Sequence, residues 1–206
     1  MIALVVGNGE SRLGLNLKEF SKDYILVGCN ALHRETPVEH LVCCDRRMGE
    51  EAILGENTKN SKIYVRPDWF NYFRKIKKDK RIHQVPQLPY QGKTKSDDPI
   101  HWGSGPYAVL VAANLEHVET ILMVGFDLYS NNDKVNNVYK GTANYSNKDS
   151  KPVDPSYWVY QIGKVFENFP EKNFIIFNDA KWKNPPLWNR TNVSFELLES
   201  KNLTFA

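Results

Sequence analysis

"VVGNGESRLG", residues 5–14, decides the fold: the apolar run "IALVV" 2–6 stops abruptly in glycine, asparagine, glycine and serine. A short run rich in Val and Ile, with no polar alternation, predicts a strand buried on both faces of a parallel sheet. Its ending predicts the turn that carries such a strand into a helix start. Gly7 and Gly9 would let the backbone approach a ligand closely, and the amides around Asn8, Gly9 and Ser11 would face an anion together with the helix dipole. The spacing is neither the G-x-G-x-x-G of dinucleotide folds nor a P-loop. A plain tight turn is the alternative to a phosphate cradle, and the rest of the chain has to choose.

Working outward, similar runs recur at "YILVGC" 24–29, "HLVCC" 40–44, "KIYV" 62–65, "RIHQV" 81–85, "TILMVG" 120–125 and "NFIIF" 173–177. Helical spacing of apolar residues falls between several of them, over 12–20, 67–78, 105–117 and 155–169. Strands alternating with helices predict an α/β fold, a single doubly wound and mostly parallel sheet with helices on both faces. The clearest unit is "GSGPYAVLVAANLEHVETILMVGFDLY" 103–129, a nearly all-apolar helix opened by Ser104 or Gly105, with Pro106 in its first turn, that feeds a strand. Two polar stretches, 86–103 and 130–154, are long for connections in a compact domain and read as binding loops or lids. Residues 183–206 read as an irregular tail with one short helix.

The 206 residues suit one domain, 1–206, and 41% hydrophobic with 25% charged residues is ordinary globular usage. A net charge of +3 is too small to argue for nucleic acid, and "FRKIKKDKR" 73–81 lacks the interleaved aromatics of a nucleic-acid patch. No stretch approaches the apolar length of a membrane span, and the N-terminus lacks a signal-peptide pattern, which predicts a cytoplasmic protein. Cys29, Cys43 and Cys44 then read as reduced, buried thiols, and the sequons at Asn144, Asn189, Asn192 and Asn202 carry no meaning.

The chemistry-bearing residues gather at predicted strand ends. Asn30 closes the second run and Asp45 the third, beside Arg46 and Arg47. An asparagine amide both donates and accepts, which suits a base edge or a sugar hydroxyl, and Asp45 accepts from hydroxyls. With "GNGES" 7–11, "CN" 29–30, the 104–129 unit and, more loosely, "NDAKW" 178–182, the chain resembles the bacterial sialyltransferases of glycosyltransferase family 42.

That resemblance implies a Rossmann-like, GT-A-variant fold that holds a CMP-sugar without a metal or other cofactor. It implies that Asn8 and Gly9 lie along the nucleotide, that Asn30 contacts it near the phosphate or donor sugar, and that Ser104 contacts the donor sugar; Gly7, Ser11, Asp45 and Gly105 join the candidate nucleotide and donor site from their places at the strand ends and the helix start. Tyr129 would hydrogen-bond the phosphate leaving group, with Tyr139 as a second tyrosine and Tyr145 as a further candidate. The chain departs from the family pattern at Glu10, where the family has proline, at Asp45, where it has asparagine, and at His101, where it has arginine. It also departs across 150–161, where no histidine stands to deprotonate the acceptor. Asp154 or His101 would have to serve. The partners implied are a nucleotide-sugar and a glycan or other hydroxyl acceptor; a homo-oligomer is compatible with the sequence.

Two other readings stand beside this one. Archaeal pterin diphosphokinases share a similar opening on a Rossmann-like fold and use magnesium; Asp45 and Asp127 would then be metal-site carboxylates. A nucleotide-binding module that kept the cradle and lost the base would bind without turnover.

Overall fold

The computed structural model describes residues 1–20, 22–130 and 132–199, so the sequon at Asn202 lies outside the described residues. Eight strands form one sheet: β1 Ile2–Val6, β2 Ile25–Cys29, β3 His40–Cys43, β4 Lys62–Val65, β5 Ile82–Gln84, β6 Thr120–Val124, β7 Asn173–Asn178 and β8 Val193–Leu197. Their order is β5-β4-β3-β2-β1-β6-β7-β8, and every neighbouring pair is parallel. The fold is therefore the α/β sheet that the strand runs predict.

Alternating side chains of β1 feed two cores. Ala3 and Val5 join Ile121 and Met123 under the helices α4, Ser104–Ala113, and α5, Ser156–Asn168. Leu4 and Val6 face the other side, where α1 (Leu17–Phe20), α2 (Arg46–Leu54) and the segment after α3 (Pro67–Tyr72) contribute Phe20, Met48 and Phe73. Helices on both faces explain why the central strands are largely apolar rather than alternating, while β5 at the sheet edge buries only its Ile82. Every residue of α4 except Gly105 is buried, as its nearly continuous apolar sequence requires.

Three expectations are corrected. The pattern over 12–20 resolves into a 3₁₀ turn, Glu10–Arg12, and the single helical turn of α1. The pattern over 67–78 ends as an α-helix at Tyr72 and continues as a π-turn, Phe73–Lys77, closed by Lys78 in the left-handed region at φ 52°. The segment read as an irregular tail contains β8, which pairs with β7 from Phe174↔Val193 to Asn178↔Leu197. That strand lies at the sheet edge with four of its five residues exposed, so it lacks the buried apolar run that marks the others.

Candidate functional site

From β1 the chain steps outward through β2, β3, β4 and β5, then returns through α4 to β6 on the other side of β1. The connections leaving β1 and β6 therefore diverge, and a crevice opens beyond their carboxyl ends, where open α/β sheets hold ligands. A cleft of about 1090 Å³ lies there.

The turn after β1 is pinned from within. Gly7 N–H donates to Val124 O at 2.8 Å, Gly9 N–H to Gly125 O at 2.8 Å, Glu10 N–H to Asn136 Oδ1 at 2.8 Å and Ser11 N–H to Asp127 Oδ2 at 2.8 Å. The Ser11 hydroxyl also bonds Asp127 Oδ1. Of these five amides, only that of Asn8 has no protein acceptor among the described residues. The anion seated on "GNGES" is thus the protein's own Asp127 carboxylate, buried at 7% exposure. Both glycines are needed for this seat: a Cβ on Gly7 would stand 2.4 Å from Gly125 O, and one on Gly9 would stand 2.4 Å from Asp127 Cγ.

Behind the turn, Arg12 Nε donates to Gly7 O at 2.8 Å and its guanidinium forks onto both oxygens of Glu35. The Tyr139 hydroxyl closes this triad of buried Arg12, exposed Glu35 and buried Tyr139 by bonding both charged groups. Burial pushes the Glu35 carboxyl up, but the Arg12 and Tyr139 bonds outweigh it and hold it below the usual carboxylate range. Tyr145 OH receives Asn8 Nδ2 at 3.2 Å and the Ala31 amide at 3.3 Å. Loop 130–154 is consequently strapped onto the turn, with Val138 N–H on Asn8 O at 2.8 Å and Lys140 paired to Glu10 at 2.7 Å.

The opposite wall is the start of α4. Gly103 precedes the helix without a side-chain cap, and among the described residues the amides of Ser104 and Gly105 have no protein acceptor. Ser104 Oγ receives Cys44 N–H at 3.0 Å and lies 2.8 Å from Asn30 Oδ1, tying the ends of β2 and β3 to α4. Gln161, fully buried in α5, accepts from Gly103 N–H at 3.3 Å and donates to His101 O at 3.1 Å, so α5 sets the path of loop 86–103 into the helix. The Trp158 indole covers Gly103 so closely that a Cβ there would meet Nε1 at 2.9 Å.

The cleft is edged with cations. Arg66 is held by Asp68 and by Ile100 O at 2.6 Å, and Arg46 pairs with Glu50 and stacks 4.3 Å from the Tyr72 ring centroid. Arg47 and Lys95 also face the cleft and form no ion pair among the described residues.

Of the residues singled out in the sequence, Gly7, Asn8, Gly9, Asn30, Asp45, His101, Ser104 and Gly105 line this one cleft. Five stand elsewhere: Tyr145, whose hydroxyl holds Asn8 Nδ2 and the Ala31 amide, and four more. Ser11 lies beneath the turn on Asp127, Tyr139 is buried on Arg12, Tyr129 is 39% exposed just past the lining residue Leu128, and Asp154 is exposed with its carboxylate on Ser156 N–H at 2.9 Å. Arg66, Lys95 and Gln161 belong to the site without a signal in the sequence, and Trp158, whose spacing suits core packing ahead of an acceptor-stacking platform, stands on the cleft wall. Trp158 shares the helical spacing of core residues, so only the fold tells the wall of a cleft from the core.

Comparison with known proteins returns no match: no family model fits the chain, and neither a characterised protein nor a solved structure is similar to it. The functional reading therefore rests on the cleft. Among the described residues no helix is long and apolar enough to cross a membrane.

Proposed function

We propose that this chain is a glycosyltransferase that takes a nucleotide-linked sugar, with a CMP-sugar as the donor of choice, and passes the sugar to an acceptor hydroxyl. The observation that carries the reading is the uncapped start of α4 opening into a cleft of nucleotide-sugar size at the sheet's switch point. The donor phosphate would sit against the Gly105 and Ser104 amides and the Asn30 side chain, with Arg47 and Lys95 raising the local concentration of anions. Tyr157 and Trp158 would give the base or sugar an aromatic wall.

In this reading His101, on the cleft wall, accepts the proton of the acceptor hydroxyl as that oxygen attacks the anomeric carbon. The bond from that carbon to the phosphate oxygen breaks, and the electron pair leaves with the nucleotide. Tyr129 at the rim would donate to the departing oxygen, where negative charge grows. Asp154 is the weaker base candidate because its carboxylate is occupied at the start of α5. The magnesium-dependent reading fits the side chains poorly: both oxygens of Asp127 are taken by Ser11, and Asp45 caps α2 through Arg47 N–H at 2.8 Å.

The test is thermal unfolding against CMP, CDP, UDP, GDP, GTP and CMP-sialic acid, each with and without magnesium. Stabilisation by CMP and CMP-sugar without metal is the expected result; a shift only for a triphosphate with magnesium overturns it in favour of the diphosphokinase. With a donor in hand, His101→Ala should lower kcat for transfer by about 10²–10⁴-fold while CMP affinity holds. Wild-type binding without turnover would make the chain a nucleotide-binding module instead.

A further inference from the structure

The hydrogen bonds around Ser104 have a direction, and the direction fixes what the cleft can bind. Cys44 N–H is a backbone donor and can only donate, so Ser104 Oγ must accept from it across 3.0 Å. The hydroxyl proton then needs an acceptor of its own, because Ser104 is 8% exposed and an unspent proton there would be buried. Among the described residues the strong acceptor in reach is the Asn30 side chain at 2.8 Å, with the Cys44 sulfur beside it a weak one, and this favours the Asn30 oxygen turned inward. Had the amide been flipped, Ser104 would face two donors and its own proton would be left to the weakly accepting sulfur of Cys44. The chain of bonds thus runs from the Cys44 amide through the Ser104 hydroxyl to Asn30 Oδ1, leaving the Asn30 Nδ2 hydrogens turned to the cleft.

We infer that Ser104 is a positioning residue that locks the Asn30 amide with its NH₂ outward, so that the end of β2 accepts a phosphate or carboxylate oxygen and rejects a donor group. Asn30 is itself held in the left-handed region at φ 52°, which Asn and Asp tolerate, and its carbonyl oxygen bonds His33 Nδ1 at 2.9 Å, so the side chain cannot escape by backbone rotation. Ser104 then meets the ligand through Asn30 rather than through its own hydroxyl. This rests on the nucleotide-sugar reading only for which anion occupies the spot.

The lock is tested on the whole chain by ¹⁵N-resolved NMR of the Asn30 side-chain amide, titrated with inorganic phosphate, CMP and cytidine. Wild type should show the Asn30 Nδ2 hydrogens shifting with phosphate and with CMP, and not with cytidine. Asn30→Asp keeps the left-handed backbone and still accepts from Ser104, but it replaces the outward donor by a carboxylate oxygen. It should weaken CMP by about 100-fold, and Ser104→Ala by about 10-fold, with cytidine affinity unchanged in both. A purely structural role would move CMP and cytidine together. Shifts with phosphate but with no nucleotide would remove the transferase reading and leave the lock standing. No shift of the Asn30 amide with either anion, or CMP affinity unchanged in both variants, would overturn it.

Discussion

At Gly9 the space for a side chain is already filled by a carboxylate. The Asp127 carboxyl packs on the Gly9 Cα and takes both donors of Ser11, so a methyl group at position 9 must displace a charged group bonded on both oxygens. At Gly7 the obstacle is the Gly125 carbonyl, which is backbone and cannot swing aside, whereas a Cβ on Gly105 would meet nothing closer than 3.6 Å. The three substitutions to alanine should therefore rank by what they strike. Gly7→Ala should destabilise most, Gly9→Ala by about 1–3 kcal/mol as overpacking does, and Gly105→Ala least. Urea unfolding of the three variants gives the order directly. Equal losses at Gly7 and Gly105 would mean that the contact between the ends of β1 and β6 is not what holds the turn.

Elements were legible in the sequence in proportion to how fully they are buried. Six of the strands and α4 announce themselves because they are covered on both faces and mostly apolar, and the edge strand β5, with only Ile82 buried, shows only through its place in the run 81–85. The eighth strand does not, since "VSFEL" 193–197 is mostly exposed and is a strand only by virtue of its pairing with β7. The stretch 130–154 is legible as a loop, but its docking is not, because its anchors are long-range bonds of Tyr139 and Tyr145 to Arg12, Glu35 and Asn8. The candidate site divides the same way: residues at strand ends were readable, while Trp158 and Gln161 reach the cleft only through helix packing. Those anchors carry a prediction. Tyr139→Phe removes the hydroxyl shared by Arg12 and Glu35, leaving the buried Arg12 guanidinium short of an acceptor, and should cost about 1–3 kcal/mol in denaturant unfolding. Since Tyr139 does not line the cleft, CMP affinity should hold, while amide exchange at Glu10 and Val138 should quicken as the strap loosens. A loss of affinity without faster exchange at those two amides would show that the tyrosine acts in the cleft after all.

Across the whole molecule, the groups that set acid stability lie at both ends of the sheet. His40 opens β3 at the amino end, buried, with Nδ1 2.9 Å from Tyr64 OH and its ring stacked on Tyr64, while His83 packs on the far side of that tyrosine. Burial, aided by the positive charges of Lys62, His117 and His83, pushes its imidazole down to about 4. The folded protein thus keeps His40 neutral where the unfolded chain protonates it. Its contribution to stability is full above the ordinary histidine value of about 6.5 and is lost as pH falls toward 4. Asp97, in the loop that forms the cleft wall, follows later. Burial raises its carboxyl, but the Thr94 amide and hydroxyl and the Tyr160 hydroxyl outweigh that and bring it to about 2. Its contribution is present above the ordinary aspartate value of about 3.9 and is lost as pH falls through 2. Urea midpoints measured from pH 8 to pH 2 should therefore fall in two steps, the upper reduced by His40→Gln and the lower, which Glu35, Glu51 and Asp79 share, reduced by Asp97→Asn. A nucleotide bound at the carboxyl end should lift the upper part of the profile without erasing the His40 step, because binding adds to stability by mass action and does not touch the amino end of β3. If saturating CMP flattened that step, the histidine environment would be coupled to the cleft through the sheet, and the two ends of the molecule would not act independently.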